Sequence, residues 1–564
     1  MDNNNIKYIP ITTIKEGQTF DKDYYQQKAT PDTQSPKDGY YHVNVGVQVV
    51  DELKSATTIR VSEMEKKLFQ LLMTVVRESG CGSTLRVAGG WVRDKLRGDN
   101  SHDIDIALDN MMGATFAELV NKHLEETHQE VHRIGVIQSN PDQSKHLETA
   151  TVKVYDMWID FVNLRSETYT EGSRIPTIDI GTPLEDALRR DLTINSLFFN
   201  INENLIQDYI GTAIKDLQLG IIRTPLPPLT TFLDDPLRVF RSIRFATRMY
   251  FAIDKYLMEA ASNQQVKDAI HTKISHQRIA KEFDGMVTGP RPDLAIHLIQ
   301  QLGLYQYLFA LPPGYNELSK INYIDASCNY INQMMRLAHW GENSEELSTK
   351  RVRLLSALMI PFHTLTYKNP QNKNRIQTLI QYILLDHLKL SNKDYDDVIL
   401  ILDCAKMFLP LITQFQTNNT FNRKLVGLAM AKAGVLWRAS LSIAMVIELP
   451  DHQFNFTFPM HDSEETPKIF NHHTHTHPHH QPMCDQSKNI CLLYDQFCAT
   501  IDTHGLIGCW SIKRLLDGNQ VKEILQKAPG SWLAPVIQAI FEWQLENPTK
   551  TVDQCKEWLI ATYK

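Results

Sequence analysis

The sequence lacks an excess of positive charge, a long uninterrupted hydrophobic run and any Cys-x-x-Cys pair. Its 564 residues carry 58 Lys and Arg against 65 Asp and Glu, a net charge of −7. This balance argues against nucleic-acid binding by overall charge and leaves room only for a local basic groove. Eight scattered cysteines predict reduced intracellular thiols. The apolar stretch Leu425–Leu449 is interrupted by Lys432 and Arg438, so it predicts buried helix and no membrane contact.

The composition is that of a globular protein, with 43% hydrophobic and 22% charged residues, and the length suggests three or four domains. The first ten residues, MDNNNIKYIP, show neither the apolar core of a secretory signal nor an Arg-rich amphipathic pattern. We therefore expect a cytoplasmic or nuclear protein, with a mitochondrial pool left open.

Hydrophobic periodicity changes along the chain and predicts an α+β fold. Helical spacing marks a helix over Ile59–Ser79, while Thr149–Tyr155 and Trp158–Leu164 alternate as two strands joined by a turn near Asp156. From Asp234 onward the pattern is almost entirely helical. We predict a small mixed sheet with helices, followed by an all-α remainder.

Two carboxylates share a strand in the segment Leu85–Leu108. Alternate side chains of a strand point to one face, so Asp103 and Asp105 lie together while Ile104 and Ile106 enter the core. Paired carboxylates suit a hard cation such as Mg²⁺. Taken alone, the Asp-x-Asp pattern is also typical of a solvated strand edge.

A glycine turn precedes this pair. Gly89 and Gly90 end the preceding strand, where the lack of a Cβ lets the backbone approach a phosphate, and Arg93 follows on the first turn of a helix. A Gly-Gly pair alone marks an ordinary turn. The ordered set of glycines, arginine and two aspartates within twenty residues favours a nucleotide site.

This set resembles the class II nucleotidyltransferases, the polymerase-β-like superfamily that contains CCA-adding tRNA nucleotidyltransferases and bacterial poly(A) polymerases. Further segments agree in order: Asn140–Ala150, Ile159–Glu167, Leu184–Asn200, Asp208–Pro225 and Asp234–Arg248. The first of them resembles the eukaryotic CCA-adding branch. The resemblance implies a polymerase-β-like head. The predicted segments are a loosely ordered extension (1–45), head (46–205), neck (206–300), helical body (301–450), His-rich insertion loop (451–488) and helical tail (489–564).

The resemblance also implies roles for acidic and basic side chains in the head. Asp103 and Asp105 would hold two Mg²⁺ ions, and Asp160 matches the third catalytic carboxylate of the superfamily, although a lone strand aspartate can also be structural. Arg190 and Asp191 fall where the family binds ribose and phosphate. A helix-start ion pair is the alternative for these two residues.

A regular row of arginines follows Asp235. Arg238, Arg241 and Arg244 recur every three residues among apolar side chains, which indicates a helix that packs on one side and meets phosphate on another. By resemblance, Asp235 and Arg238 act as a protein template for the base. Cytosine and adenine both present an amino donor beside a ring-nitrogen acceptor, and uracil and guanine reverse this pattern. Mismatched buried groups are costly, so the pair would select CTP and ATP.

The sequence therefore predicts an enzyme that adds CCA to tRNA 3′ ends from CTP and ATP, with Mg²⁺ as cofactor. A poly(A) polymerase or a C-only or A-only enzyme shares the same head motifs, and a catalytically silent RNA-binding protein is the rival from another class. For tRNA contacts, Lys350–Arg353 and Lys368–Arg375 are candidates, although each is also typical of a solvated face. We expect the histidine run His472–His480 to be a solvated loop.

Overall fold

The structure is a computed structural model of the chain. It describes the backbone of residues 11–13, 168 and 177–178 and the following ranges in full: 39–50, 52–101, 103–137, 149–167, 179–313, 315, 323–337, 346–370, 373–450, 460–462 and 483–564. Asn140–Glu148 and the histidine run His472–His480 lie outside the described residues.

The described residues form seventeen short strands. They are β1 (Ile11–Thr13), β2 (Tyr40–Val49), β3 (Glu52–Ser62), β4 (Leu85–Ala88), β5 (Ile104–Leu108), β6 (Gly135–Ile137), β7 (Thr149–Val154), β8 (Met157–Asn163), β9 (Arg165–Thr168), β10 (Thr177–Ile180), β11 (Phe198–Asn200), β12 (Leu205–Asp208), β13 (Ile221–Ile222), β14 (Ala252–Asp254), β15 (Thr366–Asn369), β16 (Arg375–Thr378) and β17 (Met460–His461).

The described residues of the first half of the chain also form eleven α-helices. They are α1 (Glu63–Ser79), α2 (Gly90–Arg97), α3 (Gly113–Glu126), α4 (Pro183–Leu188), α5 (Ala213–Leu219), α6 (Pro228–Asp234), α7 (Leu237–Met249), α8 (Lys255–Ser262), α9 (Gln264–Lys273), α10 (His276–Val287) and α11 (Pro292–Gln301). A 3₁₀ turn covers Thr193–Asn195.

The second half is mostly helical. Its helices are α12 (Tyr305–Leu308), α13 (Tyr323–Arg336), α14 (Leu347–Met359), α15 (Leu379–Gln381), α16 (Asn392–Asn418), α17 (Arg423–Ala433), α18 (Trp437–Glu448), α19 (Asp485–Thr503), α20 (Gly518–Leu525), α21 (Leu533–Glu546) and α22 (Val552–Tyr563). Short 3₁₀ turns cover Ile360–Phe362, Gly434–Leu436 and Cys509–Ser511, and a π-helix covers Tyr382–His387.

Ten strands form one mixed sheet in the order β1-β3-β2-β12-β11-β4-β5-β8-β7-β6. The neighbouring strands β5 and β8 run parallel, with Asp105 opposite Asp160, while β4 and β7 flank them as antiparallel neighbours. This confirms the predicted α+β class. The sheet is larger than the small sheet we expected, and the hairpin β15–β16 interrupts a remainder that we predicted to be all-α.

A two-residue turn joins β7 to β8, as the sequence predicts. Tyr155 and Asp156 both adopt positive φ, 48° and 64°, the backbone of hairpin turns that match the twist of antiparallel strands. Lys153 Nζ lies 2.7 Å from Asp156 Oδ1 across this turn. The hairpin fixes the register that places Thr151 opposite Asp160.

The first helix begins later than we predicted. A capping box defines its start: the Ser62 hydroxyl accepts from the Glu65 amide, and the Glu65 carboxylate accepts from the Ser62 amide. The preceding residues Glu52–Ser62 form β3, which pairs with β2. Strand β2 begins at Tyr40, so part of the predicted loose extension 1–45 is a strand.

The chain divides into two compact units. The first comprises Met1–Ser275 with Phe458–Asn471, and the second His276–Thr457 with His472–Lys564. This division differs from the predicted segments, which stay a prediction. Strand β17 lies inside the predicted insertion loop 451–488 and pairs with β14.

Two stretches in the second unit are long and apolar enough to cross a membrane by length and composition, Asn392–Asn418 and Arg423–Glu448. Core helices of soluble proteins also meet this criterion, so the feature is weak support for a membrane span. In the second stretch, α17 and α18 are separate helices joined by a 3₁₀ turn.

Candidate active site

Three carboxylates lie along one face of the parallel strands β5 and β8. Ile104 and Ile106 are buried on the opposite face, so Asp105 points away from the core, as the alternation predicts. The register pairs Asp105 with Asp160 directly across parallel strands. Asp103 precedes β5 on the same alternation and is exposed.

The surroundings of Asp105 shift its pKa. Asp105 keeps solvent access, yet protein surrounds it on most sides. Burial, followed by the nearby charge of Asp160, raises the pKa of Asp105; Arg190 opposes this rise and Asp103 adds to it. Repulsion of this kind favours either a proton or a bound cation.

A hydroxyl fixes the third carboxylate. Thr151 Oγ1 on β7 donates to Asp160 Oδ1 at 2.5 Å, and the two residues are cross-strand partners. The hydrogen bond leaves Asp160 Oδ2 for another partner. Sequence reasoning singled out Asp160 but missed Thr151, although the predicted hairpin already placed them on neighbouring strands.

The carboxylate row suits Mg²⁺ shared with a substrate better than a closed protein site. Among the described residues, no group of three or more His, Cys, Asp and Glu side chains could hold a metal ion by itself. Mg²⁺ is usually bound by one or two carboxylates together with water and phosphate oxygens. Asp103 and Asp105 fit that donor set, and burial followed by the charge of Asp160 raises the pKa of Asp105 against the opposing charge of Arg190.

The glycine turn makes room for an arginine. Gly89 has a positive φ of 71°, and a Cβ there would lie 2.7 Å from Arg190 Nη1. The Gly89 amide donates to Leu197 O at 3.0 Å, so this N–H is committed to the backbone. Gly90 begins α2, where a Cβ would approach Arg93 Nη2 to 3.4 Å. A phosphate-binding role for the two glycines stays a prediction.

A buried glutamate holds the helix that follows this turn. Glu65, in the first turn of α1, accepts from Trp91 Nε1 at 2.7 Å and from Lys95 Nζ at 2.8 Å. All three side chains are buried. Removing one partner of a buried pair leaves an uncompensated charge, so this network fixes α2 and the glycine turn on α1.

Arg93 points into the protein and not toward open solvent. Only 6% of the residue is exposed; Nη1 donates to Asn195 Oδ1 at 2.5 Å, and Nε donates to Asp94 Oδ1 at 2.8 Å. Asn195 in turn donates to Asp191 Oδ1 at 3.1 Å. These contacts favour a positioning role for Arg93, which is tied to Asp191 through Asn195.

Asp186 is the buried anchor of the next two arginines. It is 1% exposed; its Oδ1 accepts from Arg189 and its Oδ2 from Arg190, each through Nε and Nη2 at 2.5–3.0 Å. Burial opposes ionisation, but Arg190 and Arg189 outweigh it and lower the pKa of Asp186. Sequence reasoning missed this residue, although Asp186 lies three and four positions before the arginines on a helix, where side chains meet.

Asp191 pairs with the arginine row. Its Oδ2 accepts from Arg241 Nε at 2.7 Å, with Nη2 at the same distance. Burial raises the pKa of Asp191, but Arg241 and Asn195 reverse this effect, so the pKa lies below its ordinary value. The interaction is an ion pair with α7, which differs from the helix-start pair considered from the sequence.

Asp235 and Arg238 stand at the start of α7. Asp235 lies between α6 and α7, and its Oδ1 accepts from the Leu237 amide at 3.2 Å, while Pro236 is the N-cap residue of α7. Arg238 Nη2 donates to Arg189 O at 2.6 Å and lies 3.9 Å from Glu167 Oε2. Glu167 is therefore a second acidic neighbour of Arg238 that the sequence pattern did not indicate.

Three guanidinium groups surround one aromatic ring. Arg93, Arg241 and Arg244 lie 5.1, 5.7 and 4.4 Å from the centroid of Phe245, within the range of cation–π attraction. The side chain of Arg241 is 34% exposed, and Arg244 is half-buried. Positive charge thus gathers on the inner face of α7, as the arginine spacing predicts.

The proposed basic patch Lys350–Arg353 is largely occupied by contacts inside the second unit. Arg351 pairs with Asp284 and Asp394, and Arg353 is 4% exposed. An RNA contact through these two arginines would require breaking such contacts. The segment Lys368–Arg375 lies partly outside the described residues.

Known proteins are similar to this chain over most of its length. The Poly A polymerase head domain family matches residues 85–223. The mitochondrial CCA tRNA nucleotidyltransferase of Saccharomyces cerevisiae is 34% identical in an alignment of 506 positions that covers 83% of this chain and 86% of that protein. The chain belongs to the CCA tRNA nucleotidyltransferase family. It is therefore a nucleotidyltransferase, as the motifs predict.

A second relative in the CCA tRNA nucleotidyltransferase family agrees. The mitochondrial CCA tRNA nucleotidyltransferase of Candida glabrata is 32% identical over 498 residues, covering 83% of this chain and 88% of that protein. The match spans both compact units and is not confined to the head.

Solved structures of CCA-adding enzymes share the fold. The Thermotoga maritima CCA-adding enzyme complexed with tRNA has a TM-score of 0.54 at 16% identity, over 89% of this chain and 97% of that one. CCA-adding enzymes in complex with ATP and with CTP each reach 0.55, at 17% and 16% identity, over 89% of this chain and 94% and 96% of theirs. At such identity the likeness supports the family fold and assigns no residue roles.

Proposed function

We propose that this chain completes the 3′ end of tRNA by adding C, C and A from CTP and ATP, with release of pyrophosphate. The observation that carries the proposal is the row of Asp103, Asp105 and Asp160, with the Asp186-bound Arg190 acting electrostatically on Asp105. Family membership over most of the chain supports the same reaction.

The carboxylate row provides the donors for divalent cations. When bound, two Mg²⁺ ions supply activation of the attacking 3′-hydroxyl and neutralise charge on the phosphates. Asp103 and Asp105 would hold them, and Asp160, oriented by Thr151, would complete the set. The role of this chain is to fix three oxygen donors before substrate arrives, so that little reorganisation is needed during the reaction.

Arginines on the neighbouring elements would bind the triphosphate. Asp186 accepts two hydrogen bonds from Arg190, at 2.7 and 3.0 Å. These bonds fix the orientation of the Arg190 side chain, which is 19% exposed. Arg241 and Arg244 on α7 add charge from a second side, while Arg93 braces Asn195. An oriented guanidinium binds phosphate oxygens with less loss of side-chain entropy than a free one.

Asp235 and Arg238 would select the base. A fixed carboxylate accepts from the amino group of cytosine or adenine, and a fixed guanidinium donates to the ring nitrogen. Arg238 is already oriented by Arg189 O and Glu167, which supports a rigid template. Mispaired polar groups in a buried site carry an energetic cost large enough to reject uracil and guanine.

The base-selection proposal has a direct test. Asp235→Ala combined with Arg238→Ala should lose preference for CTP and ATP over UTP and GTP in primer extension and keep Mg²⁺ dependence. Arg248→Ala, an exposed change at the far end of α7, serves as the matched control. An unchanged preference in the double variant would rule out the pair as the template.

The reaction itself is tested by product size. A tRNA without its CCA end is incubated with labelled CTP, ATP or both, and the products are separated. We expect addition of three nucleotides when both are present. A long A tail would indicate a poly(A) polymerase. Addition of C alone or of A alone would indicate a partial enzyme, and no extension would indicate a silent RNA-binding protein.

The location of the enzyme is also a proposal. Both relatives named above are mitochondrial by name, which supports a mitochondrial pool beside the cytoplasmic or nuclear one expected from composition. Cell fractionation with an antibody to the chain tests this. Complete absence from purified, protease-treated mitochondria would remove the mitochondrial pool.

A further inference from the structure

One large aromatic side chain on the sheet is turned to solvent. Trp158 on β8 is 61% exposed and is the only tryptophan among the exposed large hydrophobic residues of the described chain. Its neighbour Ile159 is fully buried, so the alternation of β8 directs the indole to the opposite face. An exposed indole offers a large, flat apolar face on which another ring system can stack.

Trp158 shares its face with the carboxylate row. It lies two residues before Asp160, and successive side chains alternate between faces. The register pairs Ile104 with Ile159 and Asp105 with Asp160. Continued by one residue, the same register places Trp158 beside Asp103.

The arginines lie on the other side of the carboxylates. Strand β4 flanks β5 on the side away from β8, and Gly89 follows β4 with Arg190 Nη1 packed over it. Across the sheet the order is therefore Arg190, then Asp103, then Trp158. A triphosphate held by arginines would leave the Trp158 side of the carboxylates to the attacking substrate.

The hairpin holds Trp158 in place. The tight turn at Tyr155 and Asp156 begins two residues after Lys153, which is the cross-strand partner of Trp158. Lys153 is ion-paired to Asp156, and Tyr155 Oη donates to Gln129 Oε1 at 2.9 Å. A ring on such a rigid support loses little freedom on binding a flat partner.

We propose that Trp158 is a stacking platform for the unpaired base at the 3′ end of the RNA acceptor. This inference rests on the proposed function and adds a contact for its second substrate. The terminal base changes as each nucleotide is added, so a group that reads one base by hydrogen bonds would fail at the next step. Stacking on an aromatic ring accepts every base, since each has a π-face.

The kinetic test uses a tRNA without its CCA end and the full-length enzyme. Trp158→Ala should raise KM for tRNA about tenfold, in the range found when a base-stacking aromatic is truncated, and leave KM for CTP unchanged. Trp158→Phe keeps a ring and should recover most of the affinity. Tyr256→Ala, a 44% exposed aromatic on α8, should leave both constants unchanged.

A spectroscopic test reports on the contact itself. An acceptor RNA that ends in 2-aminopurine should lose fluorescence on binding to wild type and Trp158→Phe, and should keep more of it with Trp158→Ala. Equal quenching and equal KM in all variants would overturn the proposal. A rise in KM for CTP alone would also overturn it, because the ring would then serve the incoming nucleotide. Failure of wild type to extend tRNA would instead refute the proposed function.

Discussion

Two sets of aspartates lie within one site and behave in opposite ways. Asp105 belongs to the carboxylate row, where burial and Asp160 raise its pKa. Asp186 and Asp191 are more deeply buried, yet arginines lower the pKa of both. Burial and Asp160 thus disfavour the ionised form of Asp105, while arginine cations stabilise the ionised forms of Asp186 and Asp191.

The difference shows how the chain divides its charge. Ionised Asp105 lowers stability at neutral pH, and this cost disappears as pH falls through its raised pKa. Asp186 and Asp191 contribute stability above the ordinary aspartate pKa near 4 and lose it as pH falls below that value. The first set supplies the donors that we propose for Mg²⁺, while the second maintains the position of arginines.

The largest expected effect is on catalysis at the carboxylate row. Asp105→Asn should reduce extension by about 10³-fold or more, since a preorganised charge at the reacting centre is lost. Stability at pH 7 should stay equal or rise, because a repulsive carboxylate is removed. Extension rates and thermal unfolding of the same preparations check both parts. Loss of activity accompanied by unfolding would contradict a catalytic role.

Replacement of Asp186 should lower stability, in contrast to replacement of Asp105. Asp186→Ala leaves Arg189 and Arg190 without their carboxylate, and we expect it to destabilise the protein by about 3–5 kcal/mol. Denaturant unfolding measures the effect. Glu63→Ala removes an exposed ion pair with Lys67 and should cost less than about 1 kcal/mol. Equal losses of unfolding free energy in Asp186→Ala and Glu63→Ala would show that Asp186 does not anchor the arginines.

A smaller effect is expected where Thr151 orients Asp160. Thr151→Val removes the hydrogen bond while keeping shape, and kcat should fall about three- to tenfold, since such a bond contributes about 1 kcal/mol. The Mg²⁺ concentration for half-maximal rate should increase. Thr151→Ser restores the hydroxyl and should recover both values; if it does not, the hydroxyl is not the cause.

The smallest effect is expected at the rim of the arginine cluster. Arg244 is half-buried over Phe245, where solvent and salt weaken its charge. Arg244→Ala should raise KM for CTP and ATP about two- to threefold, and the difference from wild type should shrink at high salt. A salt-independent loss would indicate packing on Phe245 as the main role.

Local pattern predicted much of the fold where a single period dominates. The hairpin β7–β8, the alternation of β5 and the helix α7 all follow from spacing. The strand β3 was missed because its apolar positions continue into α1; the Ser62 and Glu65 capping box marked the true boundary. The start of β2 was missed inside the predicted extension 1–45, although Val43 and Val45 alternate there and Val47 continues the pattern.

The candidate site was predictable in its residue types but not in its partners. Spacing singled out Asp105 and the family resemblance singled out Arg190, but Thr151 and Asp186, which hold these neighbours in position, were missed because their spacing alone does not assign them a partner. Their roles depend on contacts across strands and between side chains. Glu167 beside Arg238 is a further case, because β9 and α7 are far apart in sequence.

The central claim is that the carboxylate row is built for a cation, and thermal unfolding with and without Mg²⁺ tests it most directly. A ligand that binds only the folded state raises the unfolding temperature. We predict that Mg²⁺ with CTP stabilises the wild type more than CTP alone, and that Asp105→Asn shows no additional shift from Mg²⁺. An equal Mg²⁺ shift in wild type and Asp105→Asn would contradict the account.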